Sequence, residues 1–478
     1  MCLDQNCLKN KQEFSLKICF WTLMAAFLAI WSYFMIHNAW WIISDEAIVV
    51  KHVGMGNAFS PLGFPEMVPE GRLYPLAYSL YNVLLLFNSG YNSPTTIYIL
   101  HSIALSIYAI FFALIGLRIL REKQAVFRYT ATLLMVIIAV CRVYPEFVMC
   151  QTGVWIIQLF IPIFIYSLLR FEETENWEWG VLALIIINYI SYCYENIIII
   201  PFAIGACSLL FNWKQLSRNK KLFNILLIAG CVLFFGIYLI AILPHATNFY
   251  EHDTKDSLLV NGIKIFIAQK IYWLAIIACV VRAWQICKNK SAYTIYDTLL
   301  LTSLAYFVGT ALLKLNFTYY YNVGALIALI PILYYGSQLK SMRWICLIFA
   351  VLAMFYGRKM PNIIKENQEL RMSSKSQILD LSKEADITTI YWFAPVCDTS
   401  SAYAEMERAS QRARLNIIIN WVKRSDEQYL VEQTEFDESK EGIWLFPGEN
   451  QILFPDLLAP DEVGTKIFDS RNISGYRI

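Results

Sequence analysis

Eleven apolar stretches constrain this chain more than any other feature. A backbone inside hydrocarbon must satisfy its own hydrogen bonds, so roughly 20 apolar residues in a row form a helix that crosses a bilayer. Such stretches lie near 18–43, 95–118, 126–141, 154–169, 179–194, 196–212, 222–243, 263–283, 293–313, 321–337 and 342–357. They account for a composition that is 58% hydrophobic and only 16% charged, with mean hydropathy +0.48. Soluble domains carry about 25% charged residues, so a single soluble globule is excluded, as are disorder, collagen and a coiled coil. A net charge of +2 gives no sign of a nucleic-acid partner. The 12 cysteines show no CxxC or other metal-type spacing, and half lie within apolar runs, so neither a disulfide framework nor a zinc site is expected.

Orientation follows from lysine and arginine in short loops. The amino terminus carries Lys9, Lys11 and Lys17 and is read as cytoplasmic. Every second loop is then basic: Arg118, Arg121, Lys123 and Arg128; Lys214, Arg218, Lys220 and Lys221; Arg282, Lys288 and Lys290; Lys340 and Arg343. The acidic loop at 170–178 is the exception. The first run is too long for a signal-peptide core and lacks a small-residue cleavage site, so it is read as an anchor. Residues 179–212 are barely long enough for two helices. Read as one, they would put the Lys214–Lys221 cluster outside, so two are expected, hinged at Tyr194-Glu195-Asn196.

This arrangement predicts a mainly α polytopic membrane protein of about eleven transmembrane helices over 1–357, with a large first outer loop at 44–94. The composition changes abruptly near 358. Residues 358–478 are charged and polar, and predict a small soluble α/β domain outside the cytoplasm. Gln368–Lys383 and Ala402–Lys423 have helical spacing, and Ile387–Phe393 and Gly442–Phe446 read as short buried strands.

Loops of about 50 residues are uncommon and ask for a function. This one opens on Ser44-Asp45-Glu46 at the end of the first helix and continues through Lys51, His52, Glu66, Glu70 and Gly71-Arg72-Leu73-Tyr74-Pro75. Leu76–Phe87 is apolar on one face and too short to span, which suits a helix lying in the interface.

An acidic pair at the outer end of the first helix, followed by a large first outer loop, resembles the GT-C superfamily of membrane glycosyltransferases, which use lipid-linked sugar donors. The resemblance covers the whole chain in architecture and rests in residues on Asp45-Glu46 and, more loosely, on Gly71–Pro75. The loop has no Asp-x-Asp, the pattern of metal-using oligosaccharyltransferases. The chain is therefore closer to members that transfer one sugar from a polyprenyl-phosphate sugar. The resemblance implies a single displacement with inversion at the sugar carbon, on the outer face of a membrane.

Such chemistry needs a base, a cation for the leaving phosphate and a groove for the isoprenoid. Asp45 is the candidate base, since an adjacent carboxylate and a low-dielectric edge both move a carboxylate pKa upward. Glu46 either shares that role or orients the acceptor; the plain alternative is that both acids end a helix in water. The phosphate partner is Arg72, Lys51 or His52, with Arg favoured for its planar fork; otherwise these cations meet lipid head groups. Tyr74 joins the candidate substrate-binding set. Lys270, inside the eighth run, and Lys314, at the end of the ninth, face either the donor phosphate or Glu195. Glu195 is a candidate for sugar hydroxyls or a hinge residue that satisfies turn backbone. Arg142 and Glu146 read as a surface pair in the next outer loop. His245, His252, Asp253 and Asp256 match no metal-ligand spacing and read as a solvated loop. No cofactor is identified and metal dependence is left open; the expected partners are the polyprenyl-phosphate sugar, a glycan or lipid-linked acceptor and the bilayer. A polysaccharide polymerase or ligase usually carries its large loop late in the chain, and a transporter or flippase shows duplicated halves; neither feature is present. The absence of a eukaryotic sorting signal points to a bacterial plasma membrane.

Overall fold

The computed structural model describes residues 2–37, 39, 40, 49, 58, 71–86, 94–148, 153–246, 258–313, 318–339, 341–383, 390–393, 430–433, 436, 437, 439–447, 464–469 and 473–477. Its helices are α1 (Cys2–Ile36), α2 (Pro94–Ile119), α3 (Ala125–Val148), α4 (Val154–Thr174), α5 (Trp177–Cys193), α6 (Ile199–Asn212), α7 (Arg218–Ile237), α8 (Leu258–Ala268), α9 (Lys270–Cys287), α10 (Ile295–Leu312), α11 (Thr318–Gly336), α12 (Arg343–Gly357) and α13 (Met360–Lys383). Among the described residues nine helical stretches are long and apolar enough to cross a membrane. Two further apolar helices are α5, 17 residues long, and α11, with 19 residues and no ionisable acid or base. Each of the eleven sequence runs thus contains a helix. The disputed 179–212 stretch is two helices, α5 and α6, joined by the 3-10 turn Glu195–Ile198.

The helix α3 sits at the centre, packed on α1, α2, α4, α11 and α12. Its residues from Ile138 to Val148 are buried or nearly so. This corrects the expected outer loop at 142–153. The helix continues through Pro145, carrying Arg142 (8% exposed) and Glu146 (3% exposed) into the interior. Proline is tolerated in a membrane helix because neighbours re-satisfy the freed backbone. The eighth run is broken at Gln269, with α8 on one side and α9 on the other.

The acidic loop that stood out against the basic ones is their partner. Glu173 pairs with Arg118, whose Nε donates to Oε1 at 3.0 Å, and Glu172 pairs with Lys220 at 3.1 Å. Glu175 accepts from Ser217 at 2.8 Å. At this end of the bundle residues 172–175 therefore pair with two of the basic loops, those carrying Arg118 and Lys220.

In the tail, five strands form a mixed sheet of order β2-β1-β3-β5-β4: β1 (Ile390–Phe393), β2 (Leu430–Gln433), β3 (Ile443–Pro447), β4 (Thr465–Asp469) and β5 (Ile473–Arg477). The two strands expected from sequence, β1 and β3, are parallel neighbours, with Tyr391 stacked on the fully buried Trp444 at 4.8 Å. The expected helix over Gln368–Lys383 is the second half of α13. Ala402–Lys423 lies outside the described residues.

Close helix contact in a membrane relies on small residues. A Cβ on Gly324 would meet the Tyr272 hydroxyl, Tyr306 Cδ1 at 2.9 Å and Ser303 O at 3.2 Å, where α11 crosses α9 and α10. Gly324→Ala should destabilise the bundle by about 1–3 kcal/mol, the usual result of overpacking. Gly236→Ala, with nothing within 4 Å of the new methyl, should not. The temperature at which the detergent-solubilised protein loses monodispersity checks both.

Candidate functional site

The helix α5 ends at Cys193 and leaves carbonyl groups that the helix itself cannot satisfy. The chain at 71–79, where the first outer loop returns to the bundle, supplies partners for them. Leu76 N donates to Tyr192 O at 3.0 Å, and Cys193 Sγ donates to Leu76 O at 3.3 Å. Ser79 and Tyr189 share a 2.7 Å hydroxyl contact, and Tyr238 OH donates to Gly71 O at 3.0 Å. Gly153 closes the gap from below with φ +66; a Cβ there would lie 3.2 Å from Cys193 O and 3.4 Å from the Ala77 methyl.

This docking brings two sequence candidates together across 123 positions. Arg72 Nε donates to Glu195 Oε1 in an ion pair. The guanidinium lies 4.9 Å over the Tyr74 ring and 5.4 Å from the Tyr194 ring. Tyr194 OH in turn donates to Tyr320 OH at the start of α11. The side chains of Arg72 and Glu195 are only 16% and 26% exposed, which separates this pair from surface ion pairs of negligible value. Burial works against the Arg72 charge, but the adjacent Glu195 outweighs it and holds the guanidinium pKa above its ordinary value. Glu195 Oε2 is buried with no hydrogen-bond partner among the described residues.

A second polar cluster lies behind the first. Arg142 Nη2 donates to Gln269 Oε1 and to Asn322 Oδ1, and Asn322 Nδ2 donates to Glu146 Oε1. The Arg142 guanidinium lies 4.7 Å from the Tyr356 ring. The first turns of α11 join the two clusters, since Tyr320 meets Tyr194 while Asn322 meets Arg142 and Glu146.

A third set holds both ends of the first outer loop from one face of α2. Tyr98 OH donates to Trp40 O at 3.1 Å, just past the end of α1. One turn later, His101 Nε2 lies 3.1 Å from Tyr81 OH in the 3-10 helix Ser79–Leu86. His101 Nδ1 lies 2.5 Å from Phe147 O, which can only accept, so the ring is the Nδ1–H tautomer and Tyr81 donates to Nε2. Trp155 Nε1 completes the chain by donating to Tyr81 OH at 3.0 Å.

Of the residues singled out in the sequence, Arg72, Tyr74 and Glu195 are brought together. Lys270 is placed otherwise: its Nζ donates to Ile267 O at 2.6 Å and lies 4.1 Å over the Trp273 ring, so its alternative pairing with Glu195 is not formed. Asp45, Glu46, Lys51, His52 and Lys314 lie outside the described residues, as do His252, Asp253 and Asp256. Among the described residues no group of three His, Cys, Asp or Glu is arranged to hold a metal ion. Sequence reasoning missed Tyr194 and Tyr320 as neighbours of Arg72, and it missed the Arg142 cluster entirely. Buried charge in the α3 run was the available signal for the latter.

No protein-family model matches the sequence, and no curated protein matches it. The polytopic helical architecture agrees with the GT-C-like arrangement that the sequence resembles, and a solved structure shares it. Among solved structures the chain is similar to ArnT from Cupriavidus metallidurans bound to undecaprenyl phosphate, with a TM-score of 0.52 at 9% identity, over 95% of this chain and 97% of that one. At this identity the likeness is one of fold.

The ion pair has a stability signature. Arg72→Met leaves Glu195 partly buried without its cation and should destabilise by about 3 kcal/mol. Adding Glu195→Met should recover part of that loss. A double-mutant cycle on thermal unfolding in detergent measures the coupling.

Proposed function

We propose that this protein is a membrane glycosyltransferase that moves one sugar from a polyprenyl-phosphate-linked donor to a hydroxyl of a glycan, lipid or protein acceptor. The observation that carries this reading is the likeness of fold, along nearly the whole chain, to ArnT, whose structure contains undecaprenyl phosphate. The protein works in a bacterial plasma membrane, with the amino terminus in the cytoplasm and both the site and the 358–478 tail outside. Membership of the helix ends supports this polarity: the basic loops gather at one end and the Arg72–Glu195 pair at the other.

In the reaction the acceptor oxygen bonds to the anomeric carbon as the bond from that carbon to the phosphate oxygen breaks. The bonding pair leaves with polyprenyl phosphate, the acceptor proton passes to Asp45, and the sugar carbon inverts. Glu46 orients the acceptor. The phosphate carries one charge in the donor and gains a second as it leaves. A fixed guanidinium therefore stabilises the transition state more than the bound donor, which is how a cation raises rate and not only affinity. Arg72 supplies it, backed by Lys51, His52 and Lys314. The aromatic faces of Tyr74 and Tyr194 hold its plane. Glu195 restrains Arg72 through one oxygen and offers the other, Oε2, to a sugar hydroxyl. Lys270 is held apart from the pair, where its ammonium on Trp273 suits a lipid phosphate.

Asp45→Asn should remove transfer, a drop of about 10²–10⁴-fold for loss of a general base, in a protein that still folds and inserts. Arg72→Lys should lower kcat more than donor affinity. Conversion of a radiolabelled polyprenyl-phosphate sugar in proteoliposomes measures both. Normal turnover by the Asp45→Asn protein removes that residue from the mechanism.

A further inference from the structure

The tail helix α13 has an internal stripe whose composition does not suit packing alone. Met360, Ile363, Ile364, Asn367 and Arg371 recur at three- and four-residue spacing, and Met360, Asn367 and Arg371 are buried. Arg371 is 1% exposed. On the opposite face Lys365 and Glu369, 76% and 65% exposed, form an ordinary i,i+4 pair. A polar residue at a core position is expected where it has a task.

The task is legible in its contacts. Arg371 Nη1 donates to Met35 O at 2.7 Å and to His37 O at 3.4 Å. Its guanidinium lies 4.0 Å over the Tyr98 ring, and Tyr98 OH holds Trp40 O at 3.1 Å. Two elements distant in sequence thus grip the carbonyls of Met35, His37 and Trp40 at and just past the end of α1. Cations favour a helix carboxy terminus because its last carbonyls are unsatisfied and carry the negative end of the dipole. Among the described residues no carboxylate pairs with Arg371; its charge meets these carbonyls and the Tyr98 ring and also faces His101 and Tyr144, while Nε and Nη2 are buried with no hydrogen-bond partner among the described residues.

We propose that Arg371 is a positioning residue: the tail helix fixes the outer end of α1 and so sets where the acid nine positions beyond Ile36 is delivered. This rests on the reading of Asp45 as the base. It makes the tail part of the reaction site and not merely a module that recruits an acceptor. Arg371 touches neither donor nor acceptor; it acts through the end of α1. Misplacing a reacting group by about 1 Å lowers rate by about a hundredfold.

The test uses the full-length protein in lipid nanodiscs and compares Arg371→Ala, Arg371→Lys and, as a control on the exposed face, Lys365→Ala. Hydrogen–deuterium exchange of peptides covering 33–40 reads the clamp directly. We expect faster exchange there in Arg371→Ala, an intermediate value in Arg371→Lys, and no change in Lys365→Ala or in the α2 segment 102–116. We also expect kcat to fall about tenfold or more in Arg371→Ala with KM for the polyprenyl-phosphate sugar unchanged, and partial recovery on adding guanidinium ion. Unchanged exchange over 33–40 overturns the clamp. Faster exchange with unchanged kcat overturns its role in positioning. Should Arg371→Ala fail to fold, the graded response of Arg371→Lys decides the same questions. A wild-type protein that transfers no sugar from any polyprenyl-phosphate donor overturns the parent reading instead, and the exchange measurement still judges the clamp.

Discussion

The unsatisfied carbonyl groups at the carboxy-terminal ends of α1, α3 and α5 govern how this molecule is put together. In hydrocarbon or at its edge a bare carbonyl costs several kcal/mol, so each must find a donor. Each finds one far away in sequence. Met35 O takes Arg371, Phe147 O takes His101, and Tyr192 O takes Leu76 N. At the other end of the bundle helix ends are closed locally. Asn176 accepts from Glu178 N, Ser217 from Lys220 N, and Asp297 accepts from Thr294 N at 2.8 Å. The local ends can form as each helix forms. The distant ones need other elements of the bundle in place: the tail helix for Met35 O, α2 for Phe147 O and the loop return for Tyr192 O.

That asymmetry has an electrostatic counterpart. At the locally capped end Glu172 and Glu173 pair with Lys220 and Arg118, and Asp297 pairs with Arg282. At the other end, among the described residues, the Arg72–Glu195 pair lies beside Tyr74, Tyr194 and Tyr320. A guanidinium held between aromatic faces and fixed through one nitrogen is already oriented, and little reorganisation is left for a reaction step to cause. Preorganised charge of this kind acts most strongly where water is scarce.

What could be read from the sequence divides along the same line. Helix number, the split at Tyr194, the basic loops and the β1 and β3 strands follow from periodicity and local composition, which act over short stretches. Arg72 and Glu195 were each recognisable as ionisable residues at the membrane edge. Their partnership was not, because nothing local ties residue 72 to residue 195; the closing contact is the Leu76–Tyr192 backbone bond. Arg142 and Glu146 were misplaced because Pro145 beside two charges has the look of a turn. The structure makes them interior because Asn322 and Gln269 supply hydrogen bonds from other helices. Arg371 fell inside a segment read as a soluble domain, where an arginine on a helix is unremarkable. Its place in the Met360–Arg371 stripe was the one available signal.

The Arg142 cluster explains why the bundle tolerates a broken helix. Between α8 and α9 the backbone at Gln269 leaves helical geometry, with φ −99 and ψ 77, and its side chain is 3% exposed. A break of this sort invites bending unless something holds the two halves. Gln269 Oε1 accepts from Arg142, Arg142 also donates to Asn322, and Asn322 donates to Glu146. Two helices, α3 and α11, are thus tied to the break through charge-assisted bonds, the strong class of hydrogen bond. Asn322 lies two residues after Tyr320, which faces Tyr194. Any tilt of α8 against α9 would therefore strain the same turns of α11 that border the Arg72 site. The buried cluster fixes the back wall of that site, and the break at Gln269 becomes a rigid corner of the bundle.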